Sequence, residues 1–380
     1  MPNQEPSIPI HLPWKLGYNQ LGQIFDRSRL TNSYKLFWFW ALLDLSIRTD
    51  DFIFSFEDLA IEMLVKVWYP VHYFKLDFGS QDMLVKHLNS IHGAEGLSDE
   101  ISEEELRDRL KHVDRSNQVD AAIKALCKYV PYRFLSPWAG NSLKGLKDHQ
   151  KNAEIQRLAD ASWRDPQKAF MYRFVDSPSK GIWLRSDWLD YLREHYSILK
   201  EYTLYHLASF IQGRNPNIPN IINKLEYKPA ERDQLTARKL WQPFLELHPE
   251  TRCIYTGQAI NKFAIDHFLP WSFVAHNDIW NTVPIPERVN SAKGNMLPLV
   301  GRDLDNFVCI QYRFHQFLNE SQFGANGKSK AQKFALEQYA LLFRTDSSYL
   351  SRPIFETGLR DRIMPLITVA RFQQFRDWER

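Results

Sequence analysis

The sequence predicts a mainly α protein of the α+β class, with a helical N-terminal region and one small strand–loop–strand–helix unit embedded in its C-terminal half. Three observations predict it. Apolar residues recur at three- and four-residue spacing in "TNSYKLFWFWALLDLSI" (31–47) and "SFEDLAIEMLVKVWY" (55–69), the helical period. Alternating, strand-like patterns are short and few: "MYRFVDSPSKGIWLR" (171–185), then "KFAIDHF" and "NTVPI" further on. The length, 380 residues, allows two or three domains that each bury a core.

Taken in order, "LFWFWALLDL" (36–45) is the most apolar window, but Asp44 breaks it and it falls well short of the roughly 20 residues that span a bilayer. It reads as a core helix. Ser55 and Asp58 open the next helix as a capping box. "LSDEISEEELRDRLKHV" (97–113) clusters its acids in a first turn, where they suit the helix dipole, and forms either a solvated face or an acidic interaction surface. Residues 171–185 read as two strands joined by a Ser-Pro-Ser-Lys-Gly turn, followed by helix from about Ser186 to Gly213. "GRNPNIPNIINKL" (213–225) breaks the pattern as a linker, a domain edge or a backbone-contacting loop. Helix resumes in "AERDQLTARKLWQPFLELHP" (230–249). These elements divide the chain into a helical N-terminal domain (1–150), a linking region of short hairpin plus helices (151–228), and a C-terminal domain (229–380). The last has its core at 250–298 and is closed by the helices after residue 306.

The charge count, 48 basic against 45 acidic residues, leaves only +3, so any attraction to nucleic acid has to come from local surface. Two basic clusters qualify, "KGLKDHQK" (144–151) and "GKSKAQK" (327–333), the second just before a helix, where backbone N–H groups suit phosphate. Both read equally as solvated surface. Three scattered cysteines, Cys127, Cys253 and Cys309, fit a reducing compartment and a cytoplasmic protein. The opening "MPNQEPSIPIHLPWK" lacks the basic start and apolar core of a secretory signal. Neither a Walker-type glycine loop nor a Gly-x-Ser-x-Gly elbow occurs, which sets aside a self-contained ATPase and a serine hydrolase.

The chemistry concentrates in "TRCIYTGQAINKFAIDHFLPWSFVAHNDIWNTVPIPERVNSAKGNMLP" (251–298). Asp266 and His267 stand side by side in an otherwise apolar strand, where each must be paired or hydrogen-bonded. Alone, the pair reads as a capped strand end. Asn281 begins the second strand, Pro286 suits the first position of a helix, Asn290 lies one turn into it, and Gly294 suits its end. Consecutive strand residues point to opposite faces, so Asp266 and His267 converge only if the strand ends or twists there, and Pro270 is consistent with a stop.

This ordered set resembles the HNH endonucleases, or ββα-metal nucleases. The intervals, 14 positions from His267 to Asn281 and 9 from Asn281 to Asn290, together with "PWSF" after the histidine, look most like the HNH domain of RNA-guided CRISPR nucleases. The resemblance implies that His267 is the general base and that Asp266 and Asn290 hold one divalent metal, Mg²⁺ or Mn²⁺. Hard oxygen ligands suit such an ion, and a neutral imidazole suits proton abstraction from water. Asn281 is expected to orient the loop or the imidazole. Lys293 and Arg288, on the same short helix, are the candidates for contact with DNA phosphates. His276 is either a loop residue near substrate or a solvated one, and Trp271, Phe273 and Trp280 either stack on bases or hold the loop by packing.

The chain departs from the many family members that brace this unit with two Cys-x-x-Cys pairs. The matching positions read Cys253, Thr256, Pro286 and Val289. One soft ligand cannot close a four-coordinate site, so no structural zinc is expected, and packing by Tyr255, Ile260, Phe263 and Val289 replaces it. The resemblance implies a metal-dependent DNA endonuclease leaving 5′-phosphate and 3′-hydroxyl ends, with a role in bacterial defence such as restriction. A protein partner, an ATPase or other defence subunit, and a homodimer for double-strand cleavage fit that role; a membrane does not. The alternative is a non-cleaving nucleic-acid-binding or scaffold subunit.

Overall fold

The computed structural model describes residues 18–79, 82–165, 170–177, 179–226, 234–320, 327–345 and 350–379, so the opening segment 1–15 lies outside the described residues. The chain divides into two compact units, Met1–Pro216 and Asn217–Arg380. Helices dominate both, and among the described residues no helix is long and apolar enough to cross a membrane.

In the first unit the helices are α1 (Tyr18–Ile24), α2 (Tyr34–Arg48), α3 (Phe56–Trp68), α4 (Met83–Glu95), α5 (Glu103–Lys111), α6 (Asn117–Phe134), α7 (Ser136–Ala139), α8 (Asp148–Ser162), α9 (Ser186–Glu194) and α10 (Tyr196–Gln212). A π-helical turn, Tyr69–Tyr73, continues α3. Helix α2 is buried all round from Leu36 to Leu43, as an apolar helix without a polar face must be. Its Asp44 is buried too, and is balanced by Lys66 of α3 at 2.5 Å and by the Tyr196 hydroxyl at 2.8 Å. Glu62, also buried, pairs with Arg48 at 2.9 Å and with Arg107. Interior charge is tolerable on those terms only, because an unpaired buried ion costs far more than its packing returns. Ser55 accepts from the Asp58 N–H at 2.9 Å at the start of α3, and Ser102 accepts from the Glu105 N–H at 3.1 Å above the acidic first turn of α5.

Among the described residues of this unit, three short antiparallel strands form a sheet: β1 (Ile53–Ser55), β2 (Tyr172–Val175) and β3 (Gly181–Leu184), in the order β1-β3-β2. The hairpin of the linking region therefore pairs with a strand more than a hundred residues earlier, Ile53 opposite Trp183 and Ser55 opposite Gly181. Glycine is required at 181, since a Cβ there would lie 2.3 Å from the Phe54 carbonyl oxygen.

The second unit contains α11 (Ile221–Glu226), α12 (Leu235–Leu247), β4 (Phe263–His267), α13 (Trp271–Val274), β5 (Thr282–Pro286), α14 (Glu287–Lys293), α15 (Val300–Glu320), α16 (Lys330–Phe343) and α17 (Arg352–Phe372). Strands β4 and β5 pair antiparallel from Phe263 opposite Pro286 to His267 opposite Thr282. Helices α12 and α15 cover the ladder: Trp241 stacks on Phe314 at 3.6 Å and donates its indole N–H to Thr282 Oγ1 at 3.1 Å. Gln311 of α15 donates to the Thr282 carbonyl at 2.6 Å and accepts from the Tyr339 hydroxyl of α16. The C-terminal segment closes the unit through Leu297, whose N–H donates to the Arg376 carbonyl and whose carbonyl accepts from Trp378 N–H, both at 2.8 Å.

Lys224 of α11 is fully buried, with its ammonium on the Pro219 carbonyl at 2.7 Å and 5.4 Å from the centre of the Phe273 ring. Burial pushes its pKa down to about 7 from the ordinary 10.5. Between those two values the unfolded chain binds more protons than the folded one, so stability rises with pH through this window. Lys224→Met is expected to stabilise the protein most at pH 7 and below, with the gain fading to nothing as the pH approaches 10.5. Urea unfolding across that range checks it, and a gain independent of pH would show that the lysine bears no desolvation penalty.

Candidate functional site

The end of β4 builds the site. The ladder finishes with His267 opposite Thr282, the Phe268 N–H donates to the Asn281 carbonyl at 2.8 Å, and Pro270 caps the short α13. Asn281 is fully buried, and its side-chain amide clasps the next backbone unit: Oδ1 accepts from Leu269 N–H at 2.8 Å and Nδ2 donates to the Leu269 carbonyl at 2.9 Å. Asn281 thereby holds the two residues after the Asp-His pair through its backbone and side chain together.

Asp266 is 4% exposed and both carboxylate oxygens are engaged. The Tyr255 hydroxyl donates to Oδ2 at 2.7 Å, and the Lys293 ammonium donates to Oδ1 at 3.1 Å and to the His267 carbonyl at 2.9 Å. Tyr255 is presented by a tight turn in which Cys253 N–H donates to the Gln258 carbonyl at 2.9 Å and Gly257 N–H to the Cys253 carbonyl at 2.8 Å. Gly257 takes φ +68°, a conformation glycine adopts without strain. Burial, and then the Asp266 charge, raise the Tyr255 phenol well above its usual range, so it stays a proton donor. Lys293 arrives from the last turn of α14, which Pro286 precedes as N-cap and Gly294 ends at φ +51°.

Lys293 is 0% exposed, and its placement differs from the phosphate contact expected from the sequence: the ammonium faces inward onto Asp266 because a buried carboxylate needs a counter-charge. Asn290, one turn earlier, shares that face of α14 and is half-buried. Arg288 is exposed, with its guanidinium donating to the Gln258 side chain. His267 is 3% exposed at the strand terminus. Tyr255 is the contributor that sequence reasoning missed as a site residue. The sequence shows it only as an apolar-looking position eleven residues before the carboxylate it serves.

Around this centre, Trp271, Phe273 and Trp280 are buried, so they hold the loop by packing, and Trp280 donates its indole N–H to Asp278 at 3.0 Å. His276 is half-buried with its imidazole pKa lowered by burial, Lys224 pushing the same way and Asp278 opposing. Of the four positions matched to a zinc knuckle by the sequence resemblance, Cys253 and Val289 are buried, and Tyr255 and Val289 share a core against which Ile260 and Phe263 pack. The N-terminus of α16 is taken by its own capping box, Ser329 with Gln332, and Lys328 donates to the Asn319 carbonyl. The lysines of 144–151 are exposed or half-exposed on the first unit.

The donors fit a hard divalent cation. A carboxylate has about four lone-pair positions, of which Tyr255 and Lys293 take two, so Asp266 keeps acceptor capacity, and the Asn290 amide oxygen is a ligand of the same class. A comparison with curated proteins finds no match, and neither does one with solved structures. Residues 253–299, which include Tyr255, Asp266, His267, Asn281, Asn290 and Lys293, match the HNH endonuclease family model. Through this segment of its second unit the chain carries an HNH endonuclease domain.

Proposed function

We propose that the chain is a metal-dependent endonuclease acting on DNA, with His267 as general base and Asp266 and Asn290 as the protein ligands of one Mg²⁺ or Mn²⁺ ion. The observation that carries this reading is the ordered set Asp266-His267 on one strand, Asn281 just before the start of its paired strand, and Asn290 on the following helix, within the segment that matches the endonuclease family. His267 takes the proton of the attacking water on a ring nitrogen. Because the ring is buried at the strand end, substrate entry has to open the shell around it before water reaches it. Asn281 positions the segment that follows the histidine, and Tyr255 and Lys293 hold the Asp266 carboxylate in one orientation. When bound, the ion supplies charge stabilisation at the phosphate and assistance to the leaving alkoxide. Arg288, exposed on α14, is the residue that meets a backbone phosphate in this reading. Defence against invading DNA, with a second copy or a partner subunit where both strands are cut, extends this reading.

One feature favours a second reading. A buried ammonium on the carboxylate that would ligate the ion competes with that ion, as in a unit that binds nucleic acid without cutting it.

Two outcomes discriminate. Purified chain with Mg²⁺ or Mn²⁺ is expected to nick plasmid DNA, and His267→Ala to lower the rate by about 10²- to 10⁴-fold; equal nicking by both would sink the assignment. Lys293→Met strands the buried Asp266 charge and is expected to cost about 3–5 kcal/mol in metal-free buffer. Mg²⁺ is expected to raise the melting temperature of this variant more than that of the wild type. An identical Mg²⁺ response in both would remove Asp266 from the ligand set.

A further inference from the structure

The first unit contains a cluster that nothing in the nuclease reading uses. His72 lies in the π-helical turn Tyr69–Tyr73, His92 in the last turn of α4, and Asp99 in the loop that follows. Gly96, at φ +61°, ends α4 with its N–H on the His92 carbonyl at 3.1 Å and turns the chain so that Asp99 comes back beside His92. One ligand atom from each residue lies within 4.8 Å of the other two, and His92 Nε2 is 2.9 Å from Asp99 Oδ1. The two imidazole rings stack at 4.5 Å, and Trp68 packs against both, at 4.4 Å from His72 and 5.8 Å from His92.

The second observation is His72 itself. Its residue is 9% exposed, and its Nε2 is buried without a hydrogen-bond partner, while the ring also bonds to the Leu88 backbone carbonyl. A buried imidazole nitrogen left open costs free energy with no packing reason. A ring hydrogen-bonded to a backbone carbonyl on one side with an open nitrogen on the other is how metal-ligating histidines are oriented. Asp99 and His92 are each more than a third exposed at the side chain, which leaves a route for an ion and room for water as a further ligand.

We propose that His72, His92 and Asp99 form a Zn²⁺-binding site, with water in the fourth position, that fastens the loop after α4 onto the π-helical turn. Two nitrogens and one carboxylate oxygen are a zinc-type donor set rather than a magnesium one. The loop is already aligned for it: the Trp68 indole N–H donates to the Ser98 carbonyl at 3.2 Å and the Tyr69 hydroxyl to the Ile101 carbonyl at 2.6 Å. Closing the site takes only side-chain adjustment, bringing ligand atoms from within 4.8 Å to the spacing that zinc–ligand bonds of about 2 Å impose.

The test uses the full chain, free of any affinity tag and stripped with chelator, with Co²⁺ as a visible probe and Zn²⁺ as competitor. Wild type is expected to develop a d–d absorption with Co²⁺, and Zn²⁺ to abolish it. Asp99→Asn and His92→Ala, both at partly exposed positions and checked for native circular dichroism, are expected to weaken Co²⁺ binding at least tenfold, and His72→Ala to remove the signal. Zn²⁺ is expected to raise the melting temperature of wild type but not of Asp99→Asn. A wild type without the absorption overturns the proposal, as does binding that survives folded Asp99→Asn and His92→Ala unchanged. The nuclease assay with His267→Ala is independent of all of these outcomes.

Discussion

The second unit is organised by the need to neutralise one buried carboxylate. Asp266 stands on a strand inside a closed core, where an unpaired negative charge is untenable, so the chain has to deliver partners from elsewhere. They come from both flanks: Tyr255 from the turn before the strand and Lys293 from the helix after the second strand. At the positions matching the zinc knuckle of the family that the sequence resembles stand Cys253, Thr256, Pro286 and Val289, a single cysteine among them. Turn, strand and helix are instead fastened to one another through the carboxylate, with aromatic packing of Tyr255 against Phe268 and Trp378 around it. The cluster proposed to carry the unit's chemistry is thus also part of what holds the unit together.

Much of this was legible in the sequence because it rests on local rules. Helix α2 announces itself by having no polar face over Leu36–Leu43, and the cap at Ser55 by a hydroxyl placed before an acidic first turn. The strand–loop–strand–helix order of the second unit follows from alternation, Pro286 and Gly294, although Pro286 proves to be the cap of α14 rather than its first residue. The Asp-His pair alone reads as a capped strand end, and only its order and spacing with Asn281 and Asn290 point to a site.

What the sequence withheld is non-local. That β3 pairs with β1 depends on contacts across more than a hundred residues, which periodicity does not encode. Lys293 misleads because a lysine on a short polar helix is ordinarily solvated, and only the position of Asp266 on the neighbouring strand turns it inward. Tyr255 reads as one more aromatic until its hydroxyl is seen to meet a carboxylate. His72, His92 and Asp99 follow no motif spacing, and come together because a π-turn and a left-handed glycine aim three separate segments at one point.

The clasp of Asn281 on Leu269 carries a consequence for how this strand end is held. A carboxamide that simultaneously receives an N–H and delivers one to the same residue imitates a neighbouring peptide unit, so the ladder is in effect prolonged by a single side chain past the point where β5 stops. Aspartate, its nearest isostere, has oxygens at both ends and would set one of them against the Leu269 carbonyl, turning a mutual grip into a repulsion.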